Sequence, residues 1–164
     1  MIDIYAFLHQ HHIPYNRQDH PPVYTTEQAE RLVPPLPGIH TKNLFLRDKK
    51  GKRYFLLMIE SSKELDLKNL AAQIETSRLS LASPRRLIQY LGIEPGAVSL
   101  LALVNDPEHN VEILIDRNIW NKDALHCHPL VNTTTLVISL AGIRSFLTAT
   151  GHTYHLVDIP VNRD

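Results

Sequence analysis

The sequence has one cysteine, no excess of either charge and no long apolar run, and each shortage removes a class of protein. A lone cysteine cannot close an internal disulfide, so a disulfide-stapled secreted domain is excluded. Lys plus Arg number 17 and Asp plus Glu number 17. No global field then holds the chain on a polyanion, and any nucleic-acid contact must come from a local patch. No apolar run approaches the ~18 residues that cross a bilayer; "SLLALV", for one, is bounded by Gly96 and Asn105. The N-terminal "MIDIYAFLHQHH" lacks the basic flank and apolar body of a secretory signal. The expectation is a cytoplasmic protein without membrane contact.

Chemical motifs are also scarce. There is no GxSxG elbow, no P-loop and no GxGxxG, so serine-hydrolase, nucleoside-triphosphate and dinucleotide chemistries have no motif behind them. The segment "HCHPLVNTTT" places His126 and His128 around Cys127. In an extended chain the two histidines share a face and the cysteine takes the other, which argues against all three gripping one ion. No CxxC or HExxH spacing supports a metal either, and His9, His11 and His12 read as solvated on a terminal helix. No metal and no cofactor are expected. With no base on its own face, Cys127 reads as a buried, inert thiol.

What is present reads as a single domain over residues 1–164, of α/β (α+β) class, long enough to bury a sizeable core. Residues 2–12 have helical spacing closed by Pro14, and Thr25 or Thr26 can cap a second helix that "PPLPG" halts. "TKNLFLRDKKGKRYFLLMIE" is two β-type runs around a turn at residues 49–52, where Gly51 supplies a positive φ. Residues 65–74 and 84–91 read as helices, the second with Ser83 as N-cap, Pro84 at its first position and Gly92 just past its end. "LLALVN", "VEILID", "TTTLVIS" and "YHLVDI" read as strands, with "LAGIRSFLTATG" as a helix between the last two. The architecture expected is a mixed, largely antiparallel β-sheet or partial barrel with surrounding helices.

Lys42 stands at the start of the first hairpin strand, directly after the rigid Pro- and Gly-rich loop, where a lysine can face a cleft or solvent. Lys49, Lys50, Lys52 and Arg53 at the hairpin tip, with Arg85 and Arg86, are the local basic patches available to an RNA backbone. In "GIEPGAVSLLALVND" a Pro-Gly turn frees backbone N–H groups that could cradle an oxyanion, although most such turns only connect elements.

In this order and over nearly the whole chain, "HPPVYTTEQAE", "GIHTKNLFLRDKKGKRYFLLMIE", "GIEPGAVSLLALVND", "HPLVNTTT" and "GHTYHLVDI" resemble the YbaK/prolyl-tRNA-editing (ProX) deacylases, especially the free-standing alanyl-tRNA(Pro) branch. The resemblance implies an enzyme that acts in trans, hydrolysing the ester of a mischarged aminoacyl-tRNA at the acceptor end of tRNA(Pro), with a transient contact to prolyl-tRNA synthetase. Lys42 in "TKNLF" matches the family's essential lysine, and His128 with Asn132 match its "HPLxN" segment. These imply catalytic roles for Lys42 and His128. Asn43, Asn132, Gly96 and the loop after it (Ala97, Val98, Ser99, Leu100 and Leu101) would bind substrate. The chain departs from the family where many relatives have Pro-Phe after the loop serine and Leu100 and Leu101 stand here, which implies a different pocket wall. Closure of that wall by Leu100 or Leu101 would admit alanine and exclude the proline ring. The competing readings are a module that binds the tRNA acceptor end without cleaving it, an editing enzyme for Ser or Cys, and a metal hydrolase.

Overall fold

The computed structural model describes residues 2–162. In chain order its elements begin with α1 (Ile4–Gln10), β1 (Asn16–Asp19), α2 (Thr26–Leu32), β2 (Thr41–Arg47), β3 (Tyr54–Glu60) and α3 (Leu67–Gln73). Then come β4 (Ser80–Leu81), α4 (Pro84–Leu91), a 3₁₀ helix (Leu100–Asn105), β5 (Val111–Asp116), β6 (Ala124–Cys127), β7 (Thr134–Ser139), α5 (Leu140–Thr150) and β8 (Tyr154–Val157).

The hairpin forms as its residues dictate. β2 and β3 pair antiparallel from Thr41 opposite Glu60 to Arg47 opposite Tyr54. In the turn, the Asp48 carboxylate accepts the N–H groups of Lys52 at 2.8 Å and Arg53 at 3.1 Å. Gly51 takes φ +67°, a conformation costly for a residue with a Cβ. β3 continues in parallel to β5, and β5 in parallel to β8, giving an open mixed sheet of order β4-β2-β3-β5-β8. A second, antiparallel sheet has order β1-β7-β6.

Both faces of β3 are buried, which explains why "YFLLMIE" is an almost unbroken apolar run. Leu56 and Met58 face a core shared by the two sheets, with Ile113 and Ile115 from β5, Leu125 from β6, Leu136 and Ile138 from β7 and Phe146 from α5. Phe55, Leu57 and Ile59 point the other way, into a smaller core closed by Leu70 and Ala71 of α3. The helix ends follow local chemistry. Ser83 Oγ accepts the Arg86 N–H at 3.2 Å and Gly92 closes α4 at φ +64°, as its sequence implies. Thr25 caps α2, its Oγ1 accepting the Gln28 N–H at 3.1 Å.

One expected strand is not a strand. "LLALVN" forms the 3₁₀ helix, begun by Ser99 Oγ accepting the Leu101 N–H at 3.2 Å. Leu100 to Val104 are all buried, packed against α4 and α5, so this run is apolar on every side. An all-apolar run has no period to separate strand from helix. The same packing corrects the expected pocket wall, because Leu100 and Leu101 are 0% exposed within the shared core. Leu101→Ala should therefore cost about 2–5 kcal/mol of stability. Urea unfolding checks this: a midpoint unchanged from wild type would contradict a core position for Leu101.

Candidate active site

The segment just before β2 meets β6 through one parallel bridge between Ile39 and Leu125. The Ile39 N–H donates to the Ala124 carbonyl and the His126 N–H to the Ile39 carbonyl, both at 3.0 Å. Thr41 Oγ1 adds a bond to the His126 carbonyl at 3.1 Å. These contacts set residues 40–43 beside residues 126–128 around a cleft of about 310 Å³, with Gly96 and Val98 on its wall.

Lys42 is the only Lys or Arg that lines this cleft among the described residues, and no Asp or Glu lines it. Its ammonium Nζ donates to the Lys63 backbone carbonyl in the turn after β3. That turn is held from below by Asp116, whose side chain is 1% exposed. The Asp116 carboxylate accepts from Lys63 Nζ at 2.9 Å, from the Glu60 N–H at 3.1 Å and from the Asn118 N–H at 3.0 Å. A buried carboxylate with this many donors is compensated, so it fixes the acceptor that orients Lys42. One of three ammonium protons is used in this bond, and two are left for a ligand. Next to it, Asn43 lines the cleft, and its Oδ1 is buried with no partner among the described residues.

The histidines have assigned states that follow from their bonds. His128 Nδ1 meets the Thr134 carbonyl at 3.1 Å and so carries the proton, which leaves Nε2 as an acceptor. His126 Nε2 donates to the Pro37 carbonyl at 2.8 Å. Its Nδ1 then accepts from His40 Nδ1, 3.3 Å away. Burial holds both His126 and His128 below the ordinary histidine pKa, favouring their neutral forms. Cys127 borders the cleft but belongs to the core, and burial pushes its thiol up to about 12. Among the described residues no group of three His, Cys, Asp or Glu side chains stands close enough to hold a metal ion.

Gly96 has φ +91°, and a Cβ there would stand 3.1 Å from the Tyr24 ring and 3.4 Å from Asn132 Nδ2. Asn132 lies behind the wall and staples two loops: its Nδ2 donates to the Val23 carbonyl at 3.0 Å, and the Val23 N–H donates to its carbonyl at 3.2 Å. Of the residues singled out in the sequence, the cleft thus gathers Lys42, Asn43, Gly96, Val98 and His128. Ala97 is buried beside it, Ser99 caps the 3₁₀ helix, and Leu100 and Leu101 lie in the core. His126, His40 and Tyr24, to which the sequence assigns no substrate contact, also line the cleft. The alternation that put His126 on the face of His128 was the available signal for the first.

Residues 20–146 match the family model of the aminoacyl-tRNA editing domain. The chain belongs to the aminoacyl-tRNA editing family. It is 34% identical to the prolyl-tRNA editing protein ProX of Acetoanaerobium sticklandii, over 95% of each chain. It is 36% identical to prolyl-tRNA synthetase associated domain-containing protein 1 of Danio rerio, over 92% of this chain and 83% of that one. A solved structure described as a candidate trans-editing enzyme for prolyl tRNA synthetase shares the fold, with TM-score 0.69 and 17% identity over 98% of this chain and 96% of the other. As a member of the editing family the protein is an aminoacyl-tRNA deacylase, a carboxylic ester hydrolase.

The buried histidines also set a pH response of the editing fold. His126, His128 and His152 are all held below the ordinary value of 6.5, with desolvation the largest cause for each. Folded, they bind fewer protons than the unfolded chain once the pH drops through 6.5. Stability contributed by keeping them neutral is therefore present above that pH and is lost below it. The urea midpoint should be lower at pH 5.5 than at pH 7.5; equal midpoints would show that these rings are not held neutral.

Proposed function

We propose that this deacylase clears alanine from mischarged tRNA(Pro), with Lys42 and His128 as the residues that meet the acceptor end. The observation that carries the reading is an oriented ammonium in a cleft that no carboxylate among the described residues lines. Two relatives with prolyl-tRNA names support the proline system, and with it a transient contact to prolyl-tRNA synthetase.

The chemistry needs no protein nucleophile. Water adds to the ester carbonyl, the bond to the ribose oxygen breaks, and the leaving oxygen takes a proton. The free hydroxyl beside the ester on the terminal ribose can guide that water. Turnover near one per second corresponds to a barrier of roughly 17 kcal/mol. Orientation and a fixed positive charge at the developing oxyanion are suited to reach it. Lys42 supplies that charge to the carbonyl or to the terminal phosphate. The free Nε2 of neutral His128 accepts from a ribose hydroxyl or the amino group, and Asn43 lines the cleft beside Lys42.

Selection against proline is by overlap. With Leu100 and Leu101 in the core, the apolar wall consists of Val23, Val33, Leu44 and Val98. A wall of this kind accepts a methyl group and refuses a ring, a discrimination stronger than a missing contact provides. The hairpin-tip lysines lie well away from Lys42, since the six residues of β2 from Lys42 to Arg47 span about 17 Å. They suit the acceptor stem rather than its end. Arg53 there is already paired with Glu112 through two bonds of 2.8 and 2.9 Å.

A deacylation panel with Ala-, Ser-, Cys- and Pro-charged tRNA(Pro) tests the assignment. Alanine should be released fastest and proline retained. Efficient loss of proline would defeat an editing role, a preference for serine or cysteine would move the substrate within the family, and binding without ester loss would restore the binding-module reading. Lys42→Ala should lower kcat by about 10²-fold or more. Its melting temperature should stay near wild type, because Lys42 is only partly buried. Near-normal turnover in that variant would remove Lys42 from the mechanism. Val98→Ala should raise activity on proline relative to alanine, and an unchanged ratio would place the sieve elsewhere.

A further inference from the structure

We infer that Tyr24 is the stacking platform for the base of the substrate's 3′-terminal nucleotide. The inference rests on the deacylase assignment of the cleft. Ester hydrolysis puts the aminoacyl group inside that cleft and its ribose at the mouth. The base on the same ribose then lies either in solvent or against a side chain on the rim.

Single exposed apolar side chains are common and mean little by themselves. Tyr24 differs in place and in support. Tyr24 is 67% exposed, and among the described residues it is the only exposed large apolar residue that also lines the cleft. The others, such as Leu81 at 63% and Ile88 at 50%, are not part of the cleft. The loop that carries Tyr24 is anchored on both sides. Its own N–H donates to Gln28 Oε1 at 2.8 Å on the first turn of α2. The preceding residue, Val23, is tied in both directions to Asn132. The ring leans on Gly96, where a Cβ would come within 3.1 Å of it. Gly96 thus supports the ring without a side chain to cover it.

An aromatic ring held in place and left open to solvent is what a nucleobase needs for stacking. Every base has a π-face, so the contact serves any terminal base and any amino acid attached to it. Ordering the ring in advance removes part of the cost of binding. Tyr24 would act on capture of the substrate rather than on the ester bond, since the base lies on the far side of the ribose from the reacting carbonyl.

The experiment compares wild type with Tyr24→Ala, Tyr24→Phe and Tyr24→Trp on an aminoacyl-tRNA that the wild type hydrolyses. Loss of the ring should raise KM about tenfold, with kcat within about twofold of wild type. Phe and Trp keep a stacking face and should hold KM near the wild-type value. A parallel NMR titration with the uncharged trinucleotide CCA should show weaker binding to Tyr24→Ala by a similar factor. An unchanged KM in Tyr24→Ala would overturn the inference. So would a loss confined to kcat, or a Phe variant as impaired as Ala, which would point to the hydroxyl instead of the ring. If the wild type hydrolyses none of the charged tRNAs, the substrate proposal fails separately. The CCA titration then decides Tyr24, with equal binding by wild type and Tyr24→Ala counting against it.

Discussion

The pairing of β2 with β3 is the constraint on which the site depends. β3 is buried on both faces, so a slip of one residue would exchange the side chains that fill the two cores. With the register held, Lys42 falls opposite Ile59, and the turn that follows β3 brings the Lys63 carbonyl to its ammonium. The parallel pairing of β3 with β5 then places Asp116 one residue beyond the Met58–Ile115 pair, where it receives the Glu60 N–H and the Lys63 ammonium. A core packing decision is thereby transmitted to the position of one charge.

The cleft around that charge is electrically simple. Lys42 provides the cation, no carboxylate among the described residues lines the cleft with it, and burial favours the neutral forms of His126 and His128. A charge left uncompensated by the protein and oriented in advance interacts most strongly with an anion that develops during reaction. Burial keeps the thiol of Cys127, which borders this cleft, protonated. The pair formed by His40 and His126 is a different kind of contribution. It joins the Pro37 carbonyl to the cleft wall and fixes which ring nitrogen carries each proton.

Much of the fold was legible because its signals are local. The hairpin around Gly51, the limits of α4 between Ser83 and Gly92, and the helix after β7 all appear in the structure where the sequence places them. The 3₁₀ helix was misread because "LLALVN" is apolar at every position, and its surroundings rather than its pattern choose its conformation. The expected wall of Leu100 and Leu101 failed for the same reason. Sequence distance from Gly96 says that a residue is near the cleft but does not say which way its side chain points.

By itself the sequence determined the short-range features, namely element types, caps, the turn glycine, a balanced charge, and the family motifs that carry Lys42, Gly96 and His128. Each of these is a property of residues close together in the chain, where backbone geometry alone relates them. Only the tertiary structure decided that Val33 and Val98 rather than Leu100 wall the cleft, that His40 pairs with His126, and that Tyr24 stands at the rim. Those relations join residues far apart in sequence, such as Thr41 with His126, 85 positions on, and Val23 with Asn132, 109 positions on. They come from how two sheets share one core, and no local signal in the chain encodes which distant side chains that packing brings together.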